Sequence, residues 1–392
     1  MIRIGTHRVR TILSDSRHIV YYLTFVILIT IWGEIGKTED AHTHSMYSVV
    51  FKEKGKLVHE DRPIPTVDSP KDAVVRITLS SICSSDLHIL EGHVPRAKND
   101  IIIGHEAVGI VESVGSDVSK FKKGDRVTIN VETFCNECFY CQRGFVNNCT
   151  DENGGWALGC RMDGCQAEYV RVQFADNCLN HIPDNVTDRQ ALFTGDILST
   201  GYWAADISKI KEGDVVAILG AGPTGLCTAI CSRLYRPSKI VMIDVMQSRL
   251  DFAKEHGIGD IHLNPNDVDV ESYILNMNGR GADIVMEVAG GKDTFQTAWK
   301  VARPNATVCV VALYNEPQSI PLPDMYGKNL TFITGGVDAS KCDEILKHIS
   351  SGKIDTEPLI THTFPLTEWK RGYELFSSKT DGVIKVALDP TV

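Results

Sequence analysis

Between Cys135 and Cys149 the chain reads Cys-Asn-Glu-Cys-Phe-Tyr-Cys-Gln-Arg-Gly-Phe-Val-Asn-Asn-Cys. Four thiols at spacings of three, three and eight residues can close a tetrahedral zinc site that leaves no position for a substrate. Two disulfides, or a redox pair, would use the same residue type, and Cys-x-x-Cys alone leaves those readings open. Cys135, Cys138, Cys141 and Cys149 crowd into one polar loop with a turn at Gly144, and that favours the metal. Its work there would be to staple a loop with few apolar residues of its own.

A second set is scattered. Cys83-Ser84-Ser85-Asp86-Leu87-His88 follows the β-branched run at 74–79, and Gly104-His105-Glu106 follows the run at 101–103. Asp196 lies in Thr194-Gly195-Asp196-Ile197-Leu198-Ser199-Thr200-Gly201. A thiol, an imidazole and a carboxylate offer three ligands and leave a fourth position open, as a catalytic zinc requires. Each residue alone is a weak sign, because a lone Cys or His is more often structural than a ligand.

A third set is a Gly-rich turn. Gly220-Ala221-Gly222-Pro223-Thr224-Gly225 directly follows the apolar run Val215–Leu219 and opens a helical pattern. Glycines there allow a tight turn and close approach of backbone to a pyrophosphate, whose charge the helix N-terminus stabilises. Asp244 stands nineteen residues past Gly225, at the end of the next apolar run. It is placed for the ribose hydroxyls and against a 2′-phosphate, and no Arg immediately follows it. NAD is therefore expected over NADP.

The elements that must position these sets are legible as patterns. Short β-branched runs at 74–79, 109–114 and 126–131, separated by Gly and Pro turns, suggest a β-barrel-like domain. From Gly213 the pattern becomes strand, turn, helix, strand. The runs Val215–Leu219, 240–243, 284–288 and 307–312 are nearly all apolar, which suits parallel strands buried on both faces. Helical stretches at 223–234, 247–256 and 293–302 lie between them, giving a βαβ succession. After about residue 340 come a helix and an extended tail ending at Leu388.

Three hundred and ninety-two residues exceed one ordinary core, so two domains are expected, and 43% hydrophobic residues argue against disorder. A net charge of −10 with mixed signs offers no basic stripe for nucleic acid. Twelve cysteines would suit a disulfide scaffold, but several, such as Cys227, Cys231 and Cys309, sit in apolar patterns as small buried hydrophobes. Zinc thiolates and buried free thiols favour a reducing compartment, and hence a cytoplasmic location.

The chain from Met46 onward resembles the zinc-containing medium-chain alcohol dehydrogenases, including their secondary-alcohol, polyol and threonine dehydrogenase branches. The segments around Cys83, Gly104-His105-Glu106, Asp196 and the Gly-rich turn carry the likeness, in the family's order. The resemblance implies an α/β protein: a GroES-like β-barrel catalytic domain (46–199 and 340–392) holding a Rossmann doubly wound parallel sheet (200–339). It implies two zinc ions, a catalytic one on Cys83, His105 and Asp196 and a structural one on the four-cysteine loop. Asp at position 196 is like the microbial secondary-alcohol branch. Glu106 resembles a residue that approaches or exchanges onto zinc in some members. The implied reaction is reversible hydride transfer between a secondary alcohol and NAD. Ser85 would take the hydroxyl proton and His88 would pass it to solvent through the cofactor ribose, so that hydride leaves an alkoxide. Thr200, Gly220, Gly222, Pro223, Thr224, Gly225, Asp244 and Arg249 would hold the cofactor. The expected partners are a small alcohol or ketone and further copies of the chain, as a homodimer or homotetramer. Polyol or threonine oxidation is the rival within the family, and NAD binding without turnover the rival outside it.

Residues 1–45 have no counterpart in the family. The apolar run at 19–32 follows Arg3, Arg8, Arg10 and Arg17 and is shorter than the roughly 20 residues a spanning helix needs. A mis-start upstream of Met46, a weak anchor and a signal segment are three readings of it. Membrane contact is expected only if this segment is retained.

Overall fold

The computed structural model describes residues 45–392. The expected extension as far as residue 44, with its apolar run at 19–32, lies outside them. Tyr47–Asp61 and Pro65–Val392 form one compact unit; of the other, the described residues are 45, 46 and Arg62–Ile64. Among the described residues no helix is long and apolar enough to cross a membrane.

Six parallel strands make one sheet. In space they run Ile261–Leu263, Lys239–Ile243, Val215–Leu219, Ala282–Glu287, Ala302–Val310 and Thr331–Thr334. Numbered in chain order this is 3-2-1-4-5-6, the doubly wound Rossmann order, with its crossover point beside the first strand. The central strand Val215–Leu219 is buried at every position, as a strand covered by helices on both faces must be. Its register is set by Val216 opposite Ile240 on one side and Ile284 on the other.

Outside the parallel sheet, the described chain builds a separate three-stranded sheet, in the order Lys56–Pro63, Ser45–Glu53, Ile101–Ile102, and a seven-stranded mixed sheet. Ala73–Ile82 lies at its centre, paired antiparallel with Ala107–Val114, Tyr169–Val172 and the C-terminal strand Lys385–Asp389. The C-terminal strand thus returns to the strand that leads into Cys83, with Val386 opposite Ile82. A two-stranded ribbon, Glu132–Thr133 with Gly155–Trp156, lies apart from this sheet.

Most expected elements appear within a residue or two. The helical stretches at 223–234 and 247–256 are Pro223–Arg233 and Gln247–Glu255. The run at 307–312 extends backwards, because the strand begins at Ala302, where 293–302 was expected to continue as helix to its end. The helix Trp369–Ser378 interrupts the expected extended tail. It buries Trp369, Tyr373 and Phe376, spaced four and three apart along one face.

Candidate metal and cofactor sites

Cys83, His105 and Asp196 come from three separate elements and converge. One ligand atom from each lies within 4.8 Å of the others. Cys83 Sγ is 3.4 Å from Asp196 Oδ2, and His105 Nε2 is 3.2 Å from the same oxygen. All three side chains are buried.

Local sequence explains the placement. Cys83 is the N-cap of the helix Ser84–Leu90 at the end of the strand Ala73–Ile82. Asp86, in the first turn, accepts a hydrogen bond from Cys83 N–H at 2.9 Å through Oδ2. Its Oδ1 faces His105 Nδ1 at 3.2 Å. One buried carboxylate therefore caps the helix and orients the imidazole, leaving Nε2 toward Cys83 and Asp196, the arrangement that ligating histidines usually show. Gln166 Nε2 donates to Asp86 Oδ2 at 3.1 Å, and Tyr373 Oη donates to Gln166 Oε1 at 2.9 Å. Gly104 must be glycine: its φ is +95°, and a Cβ there would lie 2.5 Å from Gln166 Cγ. Asp196 is the N-cap of Ile197–Ile207, and a Cβ on the preceding Gly195 would fall 1.8 Å from the Ile129 carbonyl oxygen.

The electrostatics suit a cation. Burial alone would lower the His105 pKa, but Asp86 and Asp196 hold it well above the ordinary imidazole value. Burial, and then Asp196, push the Cys83 thiol up. A divalent ion can take the place of these two protons and leave a thiolate, a neutral imidazole and a carboxylate. Ser85 Oγ is 3.8 Å from Cys83 Sγ, at the mouth of the same set. His88 is one turn further along the helix, half-buried, with its pKa lowered mainly by burial.

Glu106 is adjacent but engaged elsewhere. Its carboxylate is ion-paired with Lys385, accepts from Ser81 Oγ at 2.5 Å, and takes a longer bond of 3.4 Å from Ile197 N–H. Lys385 also donates to the Ile82 carbonyl at 2.8 Å. Burial would lower its pKa, but Glu106 and Cys83 push it up to about 12. Sequence reading missed Lys385, Asp86 and Gln166. A lone lysine inside the apolar tail Val383-Ile384-Lys385-Val386-Ala387-Leu388 was the available signal, because a charge in a buried strand needs a partner.

The four-cysteine loop also converges, its sulfurs lying within 4.8 Å of one another. Backbone N–H groups at Cys141 and Thr150 hold the Cys138 thiol down at about 5, whereas burial raises Cys141 and Cys149. Four thiolates this close repel one another unless a cation lies between them, so the donor set fits zinc. All twelve cysteines are free thiols.

The Gly-rich turn lies between Val215–Leu219 and Pro223–Arg233, with Gly222 as N-cap, Pro223 in the first turn and Thr224 just after it. Gly220 has φ +110°, and a Cβ on Gly225 would fall 2.0 Å from the Gly220 carbonyl oxygen. Asp244 follows the strand Lys239–Ile243, as expected. Its two oxygens accept from Ala221 N–H at 2.7 Å and Met246 N–H at 2.8 Å, so it also braces the turn. Arg249 Nη1 lies 3.7 Å from Asp244 Oδ2 and beside Gly222. The Thr200 hydroxyl donates to the Asp196 carbonyl at 2.9 Å.

The alcohol dehydrogenase GroES-like domain matches residues 69–184, and the zinc-binding dehydrogenase domain matches residues 223–350. An alcohol dehydrogenase of Cupriavidus necator is 35% identical over 369 residues, covering 89% of this chain and 100% of that protein. A NADP-dependent isopropanol dehydrogenase of Thermoanaerobacter brockii is 31% identical, covering 84% of this chain and 94% of its own. The solved apo form of zinc dependent alcohol dehydrogenase 2 from Streptococcus pneumonia has a TM-score of 0.83 at 36% identity, over 89% of this chain and 99% of that one. The fold is therefore a GroES-like domain joined to a Rossmann sheet, and the chain belongs to the zinc-containing medium-chain alcohol dehydrogenases, a family of oxidoreductases.

Proposed function

We propose that the protein oxidises secondary alcohols, and reduces the matching ketones, with NAD. The convergence of Cys83, His105 and Asp196 within 4.8 Å carries this reading. These residues would hold a zinc ion that supplies Lewis acidity and lowers the pKa of an alcohol beside it. NAD, held at the turn 220–225 and by Asp244, would supply the hydride acceptor. This chain's own residues would handle the proton: Ser85 accepts it from the substrate hydroxyl as it gives up its own proton, which passes by way of the cofactor ribose to His88 and from there to solvent. The lowered His88 pKa supports that role, since a neutral imidazole can accept a proton near neutral pH. The Asp86 carboxylate keeps the His105 ring in place, and the Glu106–Lys385 pair fixes the floor beneath the three ligands.

Cys135, Cys138, Cys141 and Cys149 would hold a second, structural zinc. Asp244 favours NAD, because a 2′-phosphate would meet its carboxylate with no guanidinium on the next residue. The Thermoanaerobacter relative, named as NADP-dependent, makes this a point to measure. A homo-oligomer is favoured by the exposed Leu313, Ile320, Leu322, Tyr326 and Phe332, the last on the edge strand Thr331–Thr334. Free thiols throughout favour a cytoplasmic setting.

The test is the rate of nicotinamide reduction by purified protein with primary alcohols, secondary alcohols, polyols and threonine, each with NAD and NADP. The expected result is the highest kcat/KM with a secondary alcohol and NAD. Preference for threonine or a polyol would move the protein to another branch. No turnover with any of them would reject the enzymatic reading.

A further inference from the structure

The helix carrying Ser85 and His88 ends in a way that gathers a third set of metal-binding side chains. Ser84–Leu90 closes on Gly92, whose φ is +79°. Gly92 N–H donates to the Ile89 carbonyl at 2.9 Å, and His93 N–H donates to the His88 carbonyl at 2.8 Å. This pair of bonds is a Schellman closure, which folds the residue after the glycine back over the last helical turn. His93 therefore returns to His88, with ring centroids 6.0 Å apart. Glu91, three residues after His88, belongs to the same turn. His93 Nδ1 and Glu91 Oε2 are 3.2 Å apart. One ligand atom from each of His88, Glu91 and His93 falls within 4.8 Å of the other two.

The donors suit a borderline divalent cation. Two imidazoles and a carboxylate are a common zinc set, with bonds of about 2.0–2.2 Å. His88 Nδ1 is buried without a hydrogen-bond partner, so no protein group competes with a metal for that nitrogen. Glu91 and His93 are exposed and free to adjust their rotamers to a metal. The φ of +79° at Gly92 is a left-handed conformation that strains any residue with a Cβ, so the tight turn that brings His93 back depends on that glycine.

We infer that His88, Glu91 and His93 form a third, solvent-accessible cation site, and that a zinc ion bound there withholds His88 from proton transfer. Free zinc beyond the resident ions then inhibits the enzyme. The site follows from the geometry alone; its effect on rate rests on the His88 role proposed above.

The test is to titrate the purified holoenzyme with Zn2+ by calorimetry near neutral pH. Metal content after gel filtration and the alcohol oxidation rate are measured on the same samples. One additional equivalent is expected, with the rate falling about 10²-fold at saturation, the contribution typical of a proton-transfer group. A weak chelator that spares the resident ions should restore the rate. His93→Ala should lose both the additional equivalent and the inhibition while keeping the uninhibited rate. If the parent takes up no additional equivalent, or His93→Ala takes it up unchanged, the site is overturned, and the proton role of His88 is untouched. If the additional equivalent depends on His93 yet leaves the rate intact, the site stands and the inhibition is overturned.

Discussion

A complete ion pair, Glu106 with Lys385, is buried beneath the metal ligands, and 279 residues separate its partners in the chain. That separation is why sequence reading found Glu106 and not Lys385. Cys83, His105 and Asp196 are each a weak sign alone and were joined into one set through the family resemblance, and the fold brings the three together. The groups that orient them were not legible, because Asp86, Gln166 and Lys385 are defined only by what the fold brings against them. His88 was legible from its place on the Cys83 segment, and its role can be measured. His88→Gln should leave metal content unchanged, lower alcohol oxidation about 10²-fold near neutral pH, and recover in part at high pH, where solvent base replaces it. Lost metal, or an unchanged pH profile, would rule the role out. Glu132 was not singled out by its sequence. It is buried opposite Trp156, with Oε2 unpartnered, and burial, with Asp196 and Asp338 adding, pushes its pKa up to about 8 against the partial opposition of Arg96 and Arg161. Its folded pKa lies above its unfolded one, so it imposes no penalty below about 4.5. Between there and about 8, folding is penalised by roughly 1.4 kcal/mol per pH unit. Glu132→Gln should therefore raise Tm relative to the parent, with the gap widening from pH 5 to pH 8. A gap that stays constant or narrows across that range contradicts the assignment.

At the scale of elements, the βαβ half was the more legible one. Its central strands are continuous apolar runs, and its first turn has a fixed glycine pattern. The edge strands Ile261–Leu263 and Thr331–Thr334 were not, because short strands with polar or exposed positions lack that signal. The helix Trp369–Ser378 was overlooked although its apolar positions follow helical spacing. What no pattern announced is how closely two functional helices pack. Ile197–Ile207 begins at Asp196, and Pro223–Arg233 begins at the Gly-rich turn. They touch at Gly201, where a Cβ would lie 2.6 Å from the Cys227 carbonyl carbon and from Thr228 N. The contact is backbone to backbone, so no side chain can yield. Gly201→Ala gains about 1 kcal/mol of helix propensity and meets an overpacking cost of about 1–3 kcal/mol. The cost should win. The expected result is a lower Tm and a raised KM for NAD, because separating the helices moves the cofactor turn away from the metal ligands. A Tm equal to or above that of the parent would show that the helices part without cost.

Across the whole molecule, the two proposed cysteine-bearing metal sites would do different work, and their surroundings differ accordingly. The four-cysteine loop is docked on a distant segment: Val146 N–H donates to Asp338 Oδ2 at 2.9 Å, and Asn147 Nδ2 to the Gly336 carbonyl at 3.2 Å. Nearby, Asn130 Nδ2 donates to the Ala339 carbonyl at 2.6 Å. Releasing the loop therefore removes the hydrogen bonds that tie it to Gly336 and Asp338 and weakens the way it is held on that segment. The Cys83 set instead lies in a framework braced by hydrogen bonds and an ion pair among Asp86, Gln166, Glu106 and Lys385. The parent protein should contain two zinc equivalents, and each variant below should contain one. Cys83→Ser should abolish turnover and leave Tm nearly unchanged, since the strands, the capped helix and the buried ion pair remain. Cys138→Ser should lower Tm by roughly 10 °C or more, because a closed structural site contributes several kcal/mol of folding free energy and each kcal/mol moves Tm by a few degrees. Any Cys138→Ser protein that stays folded should keep much of its kcat, since the catalytic ligands are intact. Metal analysis, thermal melts and rates on the three proteins give the answer together. A parent with one zinc would remove one of the two assignments, and a Cys83→Ser protein that melts as early as Cys138→Ser would mean that both ions hold the fold.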